Sequence, residues 1–328
     1  MSERTADSSA QGAPSLRDRL KSGISWNLVG SVATQGVTFG VNIIAARILG
    51  RQIFGAFSLL QSTYVAFSLL AAFAMGTVTT KYVAEFAATD PRRAGRILGL
   101  CEVFSLLSGL AAGLILAAGS GWVSAAFLNA PGLQPQLLII AGAVFLGAFN
   151  SYQTGALAGL ERFRHMALAN LVSGGFYLAV CGPAAWAFGL DGSATALLLY
   201  TLVQAVVLRR VLRRQVAARG LSFERHGVRA ELPLVLSFAL PFALANLSLW
   251  PAQWLGEAIL ARTEDGLAQM GLFGAANRLR LLVVFLPFVV TNFHWAILNQ
   301  QKGLGDARRF RKVFWFNVSL NAALVAVG

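Results

Sequence analysis

Two arginines, Arg278 and Arg280 in GLFGAANRLRLLVVFLPFVV (271–290), adjoin one of the most apolar runs in the chain. An arginine carried to bilayer depth costs roughly 2.5–3.5 kcal/mol on insertion scales. Such a residue is either at the mouth of a span or inside it for a purpose. Its planar donor fork suits phosphate and carboxylate, which accept two parallel hydrogen bonds from it. Arg47 and Arg51, at the end of another apolar run, complete the set of candidate basic contacts.

Polar residues also recur within apolar stretches. Asn27, Ser31, Thr34, Thr38 and Asn42 follow one another at spacings of three or four. At about 100° per residue they share one broad helical face. Asn246, Trp250, Gln253 and Glu257 do the same, and Gln61, Tyr64, Asn150 and Gln153 add to the polar inventory. Hydroxyl and amide side chains often hydrogen-bond between transmembrane helices, so glue between helices is an equal reading for Ser and Thr. It suits Gln253 and Glu257 less well, because an ionisable group at depth normally faces a cavity. The candidate cavity lining is therefore Asn27, Thr38, Asn42, Gln61, Asn150, Asn246, Gln253 and Glu257. Acidic residues are scarce in the apolar stretches: Glu102 and Glu257 stand out. A basic and polar interior suits an anionic or phosphorylated cargo, with amides and hydroxyls left over for sugar hydroxyls.

Enzyme chemistry is not indicated. The chain has no GxSxG, Walker A or HExxH motif. Cys101 and Cys181 lie in apolar stretches without CxxC spacing, and His165, His226 and His294 are scattered. No metal or cofactor is expected.

The elements that must position these residues are transmembrane helices. The 328 residues are 56% hydrophobic and 12% charged, against roughly 25% charged in a soluble domain. Several runs near 20 residues match a hydrocarbon core of about 30 Å. Hydropathy predicts spans at 23–46, 56–80, 97–118, 137–160, 166–189, 192–208, 232–261 and within 267–298, with a ninth from about 313. The fold class is thus all-α, a polytopic bundle. The ninth run stops at Gly328, which reads as an incomplete C-terminus. The organisation expected is a tail at 1–22, a six-helix bundle at 23–208, a basic linker at 209–230 and the start of a second bundle at 231–328.

The net charge of +13 would suggest nucleic acid in a soluble protein, but its distribution points elsewhere. Basic residues crowd the N-terminus, 81–96, 162–164, 209–229 and 302–312, whereas the alternate loops hold only Arg47, Arg51 and Arg262. The positive-inside rule then places the N-terminus in the cytoplasm, and the membrane lipids, not nucleic acid, are the expected partner of the charge. The ends of the first and seventh spans share a spacing: Ala-Arg, then eight or nine residues to Gly-x-Phe (Arg47 to Gly55, Arg262 to Gly271). The spacing suggests two related bundles with a site between them; chance similarity between two Gly-rich apolar stretches is the other reading.

ARILGRQIFGAFSLL (46–60), ELPLVLSFALPFALANL (231–247) and GLFGAANRLRLLVVFLP (271–287) resemble, respectively, the end of span 1 with the start of span 2, span 7, and the start of span 8 in polysaccharide exporters of the multidrug/oligosaccharidyl-lipid/polysaccharide superfamily, the O-antigen flippase (Wzx-like) branch. The resemblance covers about residues 20–325, with loose motifs. It implies a multi-pass protein of the bacterial cytoplasmic membrane that flips undecaprenyl-diphosphate-linked oligosaccharide through an alternately opening cavity. It implies a role for Arg47, Arg51, Arg278 and Arg280 toward the lipid diphosphate. A polysaccharide polymerase and glycosyltransferases are the partners it brings to mind. The chain departs from an ion-coupled pattern in lacking an acidic residue in span 1. The alternatives are a multidrug antiporter of the same superfamily and a membrane glycosyltransferase or polymerase.

Overall fold

In a computed structural model the described residues are 16–224 and 227–280, with backbone alone described at 16–25, 27–29 and 246–250. Every regular element among them is helical. They are α1 (Leu16–Ala72), α2 (Met75–Phe86), α3 (Pro91–Trp122), α4 (Gln134–Gly159), α5 (Phe163–Ala218) and α6 (Leu232–Ala261). A further helix, α7, begins at 266 and is described to 280. Residues 1–15 of the tail, the rest of the eighth span and the ninth lie outside the described residues, as do the side chains of Asn27 and Asn246, while 16–22 of the tail already belong to α1.

Among the described residues, five helices are long and apolar enough to cross a membrane. α1 and α5, at 57 and 56 residues, would each run to about 85 Å if straight, far beyond one crossing. Each is folded at a single glycine. Gly50 (φ 70°, ψ 173°) and Gly189 (φ 55°, ψ −126°) occupy conformations that a Cβ disfavours. The sequence expectation of a loop between spans 1 and 2 is corrected here: one residue makes the turn. The expected second span, 56–80, is also not one helix. Phe73 (φ 42°) and Ala74 (φ 60°) break it, and α2 restarts at Met75.

The side-chain contacts fix the direction of each arm. Tyr177 stacks on Tyr200 at 4.8 Å and Gln204 Nε2 donates to Asn170 Oδ1 at 3.3 Å, so the two arms of α5 run antiparallel. Asn150 Nδ2 donates to the Thr201 carbonyl at 3.0 Å and to Gln204 Oε1 at 3.1 Å, and Gln136 Nε2 to Asp191 Oδ1 at 2.5 Å. α4 therefore runs alongside the second arm of α5 in the same sense. Tyr152 Oη donates to the Leu98 carbonyl at 3.0 Å, tying α4 to the antiparallel α3. The interior of these arms is fully buried: Leu59, Leu60, Leu137, Ile140, Val144 and Ala148 form one part, and Ile97, Leu98, Tyr152, Leu157 and Leu208 another.

The connections rich in arginine meet at one end of this bundle. Arg219 Nη2 donates to the Leu160 carbonyl at 2.7 Å, and the backbone N–H of Glu224 to the Gly95 carbonyl at 3.3 Å. Glu231, nearly fully buried, accepts from Arg93 Nε at 3.0 Å and from Arg96 Nη2 at 3.0 Å. Arg209 Nη2 pairs with the buried Glu102 at 2.6 Å while its guanidinium lies over Phe223. Arg164 stacks over Trp26, which brings the beginning of α1 to the same end. The segment 219–231 is thus fastened across α3 before α6 begins. The start of α6 is then seated by Tyr82, whose hydroxyl donates to the Leu234 carbonyl at 3.3 Å, and by Lys81, 4.2 Å from the Phe238 ring centroid.

Candidate functional site

The site forms where α6 and α7 pack on the second arm of α1. α7 lies alongside that arm and in the same sense, from Arg51–Ala268 at one end to Gln61–Arg278 further along. Their close approach rests on Gly55 and Gly271. A Cβ on Gly55 would stand 2.8 Å from the Gly271 nitrogen and overlap the Leu267 carbonyl, and a Cβ on Gly271 would overlap the Arg51 carbonyl. Any side chain at either position would separate the helices. These are the two glycines that correspond in the Arg-to-Gly-x-Phe spacing, and they meet in space.

Beside this seam is a cavity of about 260 Å³, lined by residues that include Ser58, Gln61, Gln253, Glu257, Asn277, Arg278 and Arg280. Gln61, Gln253, Glu257, Arg278 and Arg280, drawn from three helices, are all candidates from sequence. Arg278 Nη2 donates to Gln61 Oε1 at 2.6 Å, while its Nε is buried without a partner among the described residues. Gln253 Nε2 donates to Glu257 Oε1 at 3.3 Å. Gln61 and Glu257 are 8% and 6% exposed, so this hydrogen-bonding capacity is held inside the fold.

The depth of Arg278 follows from its partner. Gln61 is eleven residues from the turn at Gly50, about 16 Å along the helix. Arg278 itself is twelve residues into a helix that begins at 266 and not at the arginines. Both arginines border the cavity. They differ in engagement. Arg278 crosses to α1, whereas Arg280 is exposed and its Nε donates to Asn277 on its own helix at 2.9 Å.

The remaining candidates sit elsewhere. Arg47 and Arg51 are exposed beside the Gly50 turn, and Arg51 Nε donates to the Ala268 carbonyl at 3.2 Å. Arg262 caps similarly, its Nη1 donating to the Ala126 carbonyl at 3.0 Å. On the first arm of α1, Thr34, Thr38 and Asn42 donate to the carbonyls of Gly30, Thr34 and Thr38, four residues back, at 2.8, 2.9 and 2.7 Å. Such local bonds satisfy a polar side chain within its own helix, a possibility distinct from both glue and cavity lining. Asn150 lies inside the first bundle in the amide chain with Gln204 and Asn170. Gln153 is completely buried there, with neither amide atom partnered among the described residues.

Sequence reasoning missed Trp254. It is 9% exposed, its Nε1 donates to Thr63 Oγ1 at 3.0 Å, and its ring is held edge-on by Phe67 and tilted against Phe127. It forms one wall of the cavity and pins α6 to α1. It lies four residues after Trp250 and three before Glu257, so the spacing of the stripe could have found it. A second cavity, about 160 Å³, lies near the break at Phe73 and Ala74. Its lining is mostly apolar and includes none of the arginines or Glu257.

The fold is shared with solved multi-pass transporters of the MOP superfamily. The structure superposes on the inward-facing conformation of a multidrug resistance MATE family transporter of that superfamily with a TM-score of 0.73, at 18% identity, covering 92% of this chain and 72% of the other. A MOP superfamily transporter from Pyrococcus furiosus, described as having a binding pocket of reverse polarity, gives 0.70 at 18% identity over 95% and 70% of the two chains. The chain belongs to the family described as polysaccharide biosynthesis protein, whose pattern matches residues 20–292. A curated relative, the EPS I polysaccharide export inner membrane protein EpsE of Ralstonia nicotianae, is 26% identical over 325 residues, 95% of this chain and 71% of the relative.

Proposed function

We propose that the protein is a polysaccharide transporter of the bacterial inner membrane whose cargo is an oligosaccharide linked to undecaprenyl diphosphate, moved from the cytoplasmic to the outer leaflet by alternating access. The observation that carries this reading is the cavity holding Arg278 on Gln61, which we read as lying about half a membrane thickness deep. A guanidinium at that depth is costly and is explained by a cargo anion that replaces its water. The amides of Gln61, Gln253 and Asn277 and the hydroxyl of Ser58 offer donors and acceptors to sugar hydroxyls. Family membership and the export relative support the same class of cargo.

In this reading the arginine-rich end faces the cytoplasm, as the positive-inside rule requires. The residues at 23–208 form one bundle, 209–230 the linker, and 231 onward the beginning of a second; the cavity lies between bundles. Alternating access would part α7 from α1 at the Gly55–Gly271 seam and close the opposite end. Arg47, Arg51 and Arg262 would then stand at the outer mouth, where they could receive the departing diphosphate. No step requires the protein to make or break a covalent bond. An organic-cation carrier of the same fold would need carboxylates facing its cargo, and this cavity has two guanidinium groups to one carboxylate.

Cells lacking the protein are expected to accumulate the lipid-diphosphate-linked oligosaccharide and to lose the matching surface polysaccharide, both reversed by a plasmid-borne copy. Normal surface polysaccharide without accumulation would refute the reading.

A further inference from the structure

Glu257 is the group in the cavity that carriage of an anion does not itself require. Its Oε1 accepts from Gln253, but Oε2 is buried without a partner among the described residues. The Nε of Arg278 is in the same condition. The two residues line one cavity from facing helices and lie within electrostatic reach of each other, yet neither hydrogen-bonds to the other. Arg280 also borders that cavity, while α1 contributes Ser58, Gln61 and Ser62 to the wall.

Their order along the axis is informative. α6 ends at Ala261 and α7 begins at 266, at the same end of the bundle. Glu257 is within about 6 Å of that end and Arg278 about 18 Å from it, at 1.5 Å per residue. Glu257 therefore stands level with the glycine seam, since Gly271 is about 7.5 Å from that end, and on the seam side of Arg278. A buried carboxylate and a buried guanidinium each carry a desolvation cost, and proximity offsets part of both. A carrier also needs binding favourable enough to load and weak enough to unload.

Resting on the reading of this cavity as an anion site, we propose that Glu257 is the built-in counter-anion of Arg278. It balances the guanidinium when the cavity is empty, yields to the phosphate of the cargo, and returns as the cargo leaves. It is a positioning and specificity residue acting through Arg278. Its competition sets how tightly an anionic cargo is held, and its place beyond Arg278 keeps the phosphate at the arginine until the seam opens.

The test uses the purified protein with farnesyl diphosphate as a soluble probe for binding, and vesicles for turnover. Glu257→Gln keeps the shape and hydrogen-bonding capacity but removes the charge. It is expected to tighten probe binding about tenfold, within the usual range of coupling between sites, and to slow turnover at saturating cargo. Glu257→Asp, which keeps the charge, should bind within about threefold of the unaltered protein. In an Arg278→Gln background the Glu257→Gln change should give no gain, because the coupled partner is gone. A structural role for Glu257 would not produce tighter binding. Unchanged or weaker binding by Glu257→Gln, with Arg278→Gln still losing the probe, overturns this inference and leaves the anion site standing. Full binding by Arg278→Gln overturns the anion site itself.

Discussion

Replacing Arg278 by alanine is expected to lower transport by about ten- to a hundredfold, the range given by losing one hydrogen-bonded charge contact of about 1.5–3 kcal/mol. Arg280→Ala should cost less than about threefold. The contrast comes from placement: Arg278 reaches across to Gln61, whereas Arg280 is exposed and bonded to Asn277. Folding should not confound the result, because removing a guanidinium from this depth relieves an insertion cost of roughly 2.5–3.5 kcal/mol. Arg278→Lys would keep the charge but not the fork, and should fall between the two. Transport rates in vesicles, normalised to folded protein, decide the matter. Equal and mild losses at both arginines would remove Arg278 from its assigned role.

The second large effect is expected at the glycine seam. Gly55→Leu must push α7 from α1, since even a Cβ would overlap the Leu267 carbonyl. Overpacking usually costs about 1–3 kcal/mol, and backbone that cannot yield puts this site at the upper end. A thermal unfolding scan in detergent should show a clear drop in midpoint for Gly55→Leu, with loss of transport. Leucine at the exposed neighbour Ile53 should change neither. A Gly55→Leu protein as stable and active as the original would mean that the seam is not held as described.

The sequence was informative about what lies inside and less so about what each inside residue faces. Long apolar runs and their flanking arginines announced a helical membrane bundle because a hydrocarbon core admits few alternatives. Gln61, Gln253, Glu257 and the arginine pair were legible because amides and charges in apolar runs are costly without a purpose. The single-glycine turns at Gly50 and Gly189 were not, since a turn of one residue leaves no polar loop. Nor was the break at Phe73 and Ala74, where neither residue type favours positive φ. Thr34, Thr38 and Asn42 form the periodic stripe that their spacing predicts, but periodicity is silent on whether a hydroxyl looks outward or back to its own carbonyls. Arg51 stood beside an apolar run as Arg278 does. Only the register of α7 on α1 separates a guanidinium that caps a carbonyl at the turn from one that reaches a buried amide.

The most direct measurement of the central claim is translocation by the purified protein in vesicles. A fluorescent oligosaccharide on undecaprenyl diphosphate is placed in one leaflet, and its arrival in the other is followed with a membrane-impermeant glycosidase. The cavity built on Arg278 predicts a protein-dependent rise in accessible lipid, sharply reduced by Arg278→Ala. No translocation of this lipid, together with extrusion of a cationic dye by the same vesicles, would contradict it.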